Sequence, residues 1–145
     1  MQLVTVFKSA TLALALSLGA TPSFADRNHS RIVQWGTHNE VGGGQYGFGN
    51  RLTVEQDGWS NSSISTQDGR RNRAVVGQNG HRNSANTQQF GSCNVSGIAQ
   101  FGGHNRARAT QSGGCNASAI IQAGHGNRAN TRQYGSGNVT VIVQD

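Results

Sequence analysis

Proline is almost absent from this 145-residue chain; Pro22 is the only one, so nothing after it carries the strongest strand breaker. Acids are also few. The six of them, Asp26, Glu40, Glu55, Asp57, Asp68 and Asp145, are scattered over solvent-facing or turn positions. With no acid-base pair recurring in a cleft, an enzyme is the least supported class, and no catalytic residue, cofactor or metal is expected. The two cysteines, Cys93 and Cys115, have no histidine at the same turn, so no Cys/His nucleophile is suggested. Long hydrophobic runs are confined to Ala10 through Ala20, too short to span a bilayer. Elsewhere apolar residues come one or two at a time, which excludes a conventional globular core built from longer amphipathic blocks.

Residues 1–25 read as a secretory signal: the early charge of Lys8, the short apolar run, Pro22, and the small-residue ending Ser23-Phe24-Ala25 with a cut after Ala25. The exported chain then begins at Asp26, with a short segment 26–33 before a repeat region 34–145. Its charge is uneven. Residues 26–69 hold three arginines and five acids, whereas residues 70–145 hold eight arginines and only Asp145. A basic C-terminal half suits either solubility or an anionic neighbour such as an envelope surface, acidic polysaccharide or DNA.

What the chain does have is glycine, asparagine, glutamine and serine. Taken without order, that composition describes a disordered, prion-like segment. The order decides otherwise. Glutamines stand at Gln34, Gln45, Gln56, Gln67, Gln78, Gln89, Gln100, Gln111, Gln122, Gln133 and Gln144, eleven residues apart without a slip. The first ten are followed two residues later by Gly36, Gly47, Gly58, Gly69, Gly80, Gly91, Gly102, Gly113, Gly124 and Gly135. Five residues after each comes Asn39, Asn50, Asn61, Asn72, Asn83, Asn94, Asn105, Asn116, Asn127 or Asn138. A fixed period of this kind marks one supersecondary unit stacked on the next.

Each glycine lies among short polar residues and reads as a tight turn. The seven residues from Asn to the next Gln make an ordinary strand, with Asn, the second and fourth residues after it, and Gln on one face. The fourth-position column runs Ile32, Gly43, Val54, Ser65, Val76, Thr87, Ile98, Ala109, Ile120, Thr131, Ile142. Large and small alternate, so the true repeat is two units. Folding the two strands face to face sets Val76 against Ala85, Ile98 against Ala107 and Ile120 against Ala129, large against small as close packing demands. The expected fold is all-β: a solenoid of five strand-turn-strand-turn rungs about 4.8 Å apart, ended by one further strand from Asn138 to Gln144. Gln and Asn then stack in amide ladders inside the coil.

The tandem Q-x-G-x-x-N-x-A units, as in Gln100 to Gln111 and Gln122 to Gln133, resemble the curlin repeats of bacterial curli subunits over nearly the whole exported chain. The alanine slot holds Ala74, Ala85, Ala107 and Ala129, and elsewhere Val41, Leu52, Ser63, Ser96, Ser118 or Thr140. The resemblance implies a secreted structural subunit of an extracellular amyloid fibre at the bacterial surface, with adhesion and biofilm formation as its role. It also implies other curlin subunits and an outer-membrane secretion system as partners, and either a major or a nucleating part in assembly. One departure stands out: only a few residues separate Asp26 from Gln34, where the major subunit places a targeting segment. Glu40-Val41-Gly42-Gly43-Gly44 is too glycine-rich for a good strand, so residues 26–50 are assigned a targeting role.

Function is expected at the ends and faces. The stretch Val139, Val141, Ile142, Val143 has high β-propensity and no breaker, a bare edge on which the first rung of another copy continues the ladder; a closed dimer through the same edge is the alternative. Outward on one sheet lie Val95, Gly97 and Ala99, then Ala117, Ala119 and Ile121, then Val139, Val141 and Val143, a dry patch. On the other, Arg106 stacks over Arg128 with Arg108 and Arg132 nearby, a face for anions or for solvent. Cys93 and Cys115 fall one rung apart, within disulfide range. His81, His104 and His125 occupy consecutive turns of the opposite edge, an arrangement able to hold a metal, although without a nearby carboxylate solvated side chains are the more ordinary reading. Trp35, Tyr46, Phe48, Trp59, Phe90, Phe101 and Tyr134 also lie at turns. A monomeric ligand-binding solenoid is the reading from another class; it calls for a flat outward threonine column, and the outward columns here are mixed.

Overall fold

A computed structural model describes residues 2–8 and 27–145. The strands are β1 (Gln2–Lys8), β2 (His29–Thr37), β3 (Glu40–Phe48), β4 (Arg51–Trp59), β5 (Ser62–Arg70), β6 (Arg73–His81), β7 (Ser84–Ser92), β8 (Val95–Gly103), β9 (Arg106–Gly114), β10 (Ala117–His125), β11 (Arg128–Ser136) and β12 (Val139–Gln144). Apart from β1, the expected signal segment and its cut after Ala25 lie outside the described residues. Two parallel sheets face each other: sheet A in the order β1-β2-β4-β6-β8-β10-β12 and sheet B in the order β11-β9-β7-β5-β3. From β2 onward consecutive strands alternate between sheets, so the chain coils as a β-solenoid of about five turns.

Register follows the repeat. Gln56 lies beside Gln78, Gly58 beside Gly80, and Val54 beside Val76, with the same pairing along every ladder of the repeat. The core is the predicted fourth-position and alanine-slot columns: Leu52, Val54, Ala74, Val76, Ala85, Ile98, Ala107, Ala109 and Ile120 are buried, with Ala129 packed against them.

Strand boundaries differ from the sequence reading. Most strands are nine residues long, starting one residue after Asn and running three past Gln. The repeat glycines are therefore inside the hydrogen-bonded ladders rather than in loops, at the corner where each strand bends. Their φ values are positive, +99° at Gly102, where an added Cβ would meet the Gly124 carbonyl oxygen at 2.2 Å. The corner is completed two residues later by a second left-handed residue: His38, Ser60, Arg71, Arg82, Cys93, His104 and Cys115 have φ between 52° and 59°, and Gly49, Gly126 and Gly137 hold the same position. Only that residue and Asn lie between strands.

A second correction concerns Glu40 to Gly44. These residues form the first half of β3, in register with β5 from Glu40↔Ser62 to Gly44↔Thr66. A fixed neighbouring strand supplies the ladder, which offsets the weak propensity of three glycines. Gly43, at φ +142°, brings its backbone so close to Ser65 that a Cβ would lie 1.8 Å from the Ser65 carbonyl oxygen.

Candidate assembly edges and faces

The amides come first, because they hold everything else in register. Gln100, fully buried, accepts from Gln78 Nε2 at 2.8 Å and donates from its own Nε2 to Gln122 Oε1 at 2.9 Å. The same Nε2 donates to the Ser84 carbonyl at 3.1 Å on the facing sheet. Each glutamine from Gln56 to Gln122 repeats this pattern, so the column is both a ladder along the stack and a tie between the sheets. Asparagine works differently. Asn94 Oδ1 accepts the backbone N–H of Asn116 at 3.1 Å, while Asn94 Nδ2 donates to the Phe90 and Gly113 carbonyls, each at 3.1 Å. Its side chain closes the corner and clamps it to the rung above. Among the described residues, direct amide-to-amide bonds between asparagines occur only from Asn94 and Asn116 to their predecessors and from Asn138 to Asn116.

At the C-terminal end the pattern changes. Gln133 Nε2 turns to Thr140 Oγ1 at 3.0 Å, in the place where a further glutamine would accept it. In sheet A, β12 pairs with β10 from Ala117↔Val139 to Gln122↔Gln144, and among the described residues its other edge carries no strand. At the opposite end, β1 lies along β2 from Gln2↔His29 to Lys8↔Trp35.

The two outer faces diverge. On sheet A, Val95, Ala117 and Val139 are ladder neighbours, as are Gly97, Ala119 and Val141, and Ala99, Ile121 and Val143. Val139, Val141 and Val143 are 74%, 64% and 67% exposed. On sheet B, Arg106 lies directly beside Arg128, while Arg108 lies beside Asn130 and Arg132 beside Thr110; all four arginines are exposed. The seven aromatics expected at turns lie instead within the strands, at their bent ends, and are also exposed, from Phe48 at 37% to Tyr134 at 70%.

The connecting edges differ as well. On the edge leading from sheet B to sheet A, Cys93 and Cys115 are disulfide-bonded with Cα atoms 4.5 Å apart. Both cysteines take the left-handed corner conformation. On the other edge Trp59 stacks on His81 at 5.0 Å, and the Arg82 guanidinium lies over Trp59 at 4.8 Å. His81, His104 and His125 come together there, each offering a ring nitrogen, the three within 4.8 Å of one another. The sequence reading set these three on consecutive turns of one edge and favoured solvated side chains over a metal group; what it missed is how closely the rings approach. Its signal was Gly103, a glycine outside the repeat column and between two histidines one rung away on either side.

A family model for the curlin associated repeat matches residues 26–58 and 80–113. The chain belongs to the curlin family. No individual curated protein matches it significantly. The matched stretches run from before β2 into β4 and from the end of β6 into β9, and each holds the glutamine, glycine and asparagine columns described above. Curlin proteins are structural amyloid subunits of extracellular curli fibres rather than an enzyme family. This curlin is accordingly a curli-type structural subunit.

Proposed function

We propose that this curlin polymerises into extracellular curli-like fibres by adding copies at its C-terminal edge, and that the fibres mediate adhesion and biofilm formation. The observation that carries the reading is the state of the last amides. Gln133 and Gln144 stand at the head of ladders with no following glutamine among the described residues, beside an apolar β12 whose outer edge carries no strand among them. Natural solenoids that stay monomeric cover such ends. Residues 1–25 act as an export signal, and their removal takes β1 away and bares the edge of β2. Residues 26–50 carry targeting information while keeping register. Other curlin subunits and an outer-membrane secretion system are the partners.

The described strands also set a geometry for growth. Sheet A reaches β12 and sheet B only β11, so the position that continues the coil lies over β11. An incoming copy that seats its β2 on β11 puts its β3 on β12. Its Gln34 then meets Gln133, its Gln45 meets Gln144, and successive subunits are related by about half a turn around the fibre axis. The arginines of sheet B and the dry patch of sheet A alternate along each side of such a fibre. A nucleating role at the outer membrane is the second reading, favoured by Val139, Val141 and Val143 as a membrane contact and by Arg106, Arg108, Arg128 and Arg132 as an anion-binding face.

Chain lacking residues 1–25, started unfolded, is expected to become β-rich after a lag that preformed fibres abolish. Removing residues 138–145 slows seeded elongation far more than removing an equal length after Asp26. A chain that stays monomeric at high concentration, or deletions of equal effect, overturns the reading.

A further inference from the structure

The edge leading from sheet A to sheet B carries a second feature, independent of assembly. His81 ends β6, Gly103 ends β8 and His125 ends β10, and the three share one ladder column. His104 follows Gly103 in the left-handed conformation, φ 59°. A Cβ on Gly103 would lie 2.6 Å from both His81 Nε2 and His125 Cε1, so the imidazoles from the rungs on either side occupy the room that a side chain at 103 would need. His104 completes the group: its Nδ1 is 2.9 Å from His125 Nε2, and its ring lies 5.4 Å from that of His81 in an edge-to-face arrangement.

We propose that His81, His104 and His125 form a binding site for one divalent late first-row transition-metal ion, held across three successive rungs. Three neutral imidazoles make a donor set suited to zinc, copper or nickel, with the remaining positions left to water. Metal-to-nitrogen bonds of about 2.0–2.1 Å place tetrahedral donors roughly 3.4 Å apart. The present separations of up to 4.8 Å close to that by rotation of the exposed rings of His104 and His125 toward the half-buried His81. Arg82 opposes the site, its Nη1 lying 3.5 Å from His104 Nε2, and it sets the affinity below what the imidazoles alone would give. The three ligands are brought together only by stacking, so the metal binds the folded chain and not the unfolded one.

The test is titration of the folded chain with Cu²⁺ and Zn²⁺ near pH 7.5, followed by calorimetry and, for copper, by nitrogen hyperfine structure in its electron paramagnetic resonance spectrum. The expected result is one ion per chain, imidazole nitrogens on the copper, and at least a tenfold loss of affinity in His104→Ala and in His125→Gln. His38→Ala, a corner histidine in the first rung, leaves binding unchanged, and Arg82→Gln tightens it several-fold. Absence of stoichiometric binding overturns the proposal, as does equal binding by unfolded chain or by His104→Ala with an unaltered circular dichroism spectrum. Neither result bears on whether the chain forms fibres.

Discussion

The middle of the stack and its ends carry the same three columns, yet their amides are differently placed. Gln56, Gln67, Gln78, Gln89, Gln100, Gln111 and Gln122 are buried, each accepting from the rung before and donating both to the rung after and to the facing sheet. Gln34 is half-buried and donates to Gln56 at 2.7 Å, its one amide bond among the described residues. Gln144, also half-buried, accepts from Gln122 and reaches the Arg128 carbonyl at 3.2 Å. An amide in this fold is thus stabilising in proportion to the strands on either side of it. Seating a further strand at an end converts a half-used amide into a fully used one, and that gain is common to folding and to growth.

The largest contrast between middle and end is expected at the corner glycines. Gly102→Ala forces a Cβ to within 2.2 Å of the Gly124 carbonyl oxygen at φ +99°, so the backbones of β8 and β10 have to part. A loss of about 4 kcal/mol is expected, in the range reserved for broken special positions. Gly135→Ala, in the same column at the end of the stack, at φ +96° with only Asn138 Nδ2 nearby at 3.8 Å, meets only the left-handed penalty of about 1–2 kcal/mol. Denaturant midpoints of the two folded variants check this; similar losses remove the distinction between a stacked corner and an open one.

The next contrast lies in the glutamines themselves. Gln100→Ala leaves Gln78 Nε2 without its acceptor along the ladder and strips a donor from both Gln122 Oε1 and the Ser84 carbonyl, in a region with no access to water. Groups stranded in this way cost about 1–3 kcal/mol each before any relaxation, so a loss of about 2–3 kcal/mol is expected. Gln34→Ala is expected to cost less than about 1 kcal/mol, since water replaces its single bond. The measurement is again the denaturant midpoint, and parity between the two variants would show that amides act singly rather than as a column.

Much of this was legible in the sequence because the period states it. An eleven-residue repeat without a slip fixes register, and the alternation from Ile98 to Ala109 to Ile120 fixes which residues face inward and that a rung needs two strands. Three things were not legible. The strand ends were misplaced because a glycine at positive φ reads as a loop from local preference, whereas Gly58 and its neighbours remain inside parallel ladders that bend. The left-handed residue before each Asn was missed because Arg71, Arg82 and Cys93 are not residues that favour that conformation; Gly49, Gly126 and Gly137 in the same column were the available signal. Glu40 to Gly44 read as non-strand because propensity weighs a segment alone, and β5 supplies what the glycines lack. The histidine group was legible in part: the period sets His81, His104 and His125 on consecutive turns of one edge, but their close approach depends on the small size of Gly103, which lets the two neighbouring rungs meet across it.

The smallest effect is expected on the outer surface, where middle and end differ in charge. Arg51 and Arg73 are ladder neighbours in the middle of sheet A, but β4 also carries Glu55 and Asp57 outward, and Glu55 pairs with Arg31 at 3.6 Å. Arg106 and Arg128 are neighbours at the end of sheet B, and neither β9 nor β11 contains an acid. Like charges opposite one another on neighbouring strands repel by an amount on the order of 0.5 kcal/mol in dilute buffer, and salt screens it. Arg106→Gln should therefore stabilise the folded chain slightly at low ionic strength and lose that advantage as salt is added, whereas Arg51→Gln should bring a smaller gain because the acids of β4 already lower the positive potential on that face. An anion held between Arg106 and Arg128 reverses the first sign: the substitution then destabilises in the presence of an anionic polysaccharide or DNA and stabilises without it. Midpoints measured with and without such a polymer separate a solvated arginine face from one built to hold a partner.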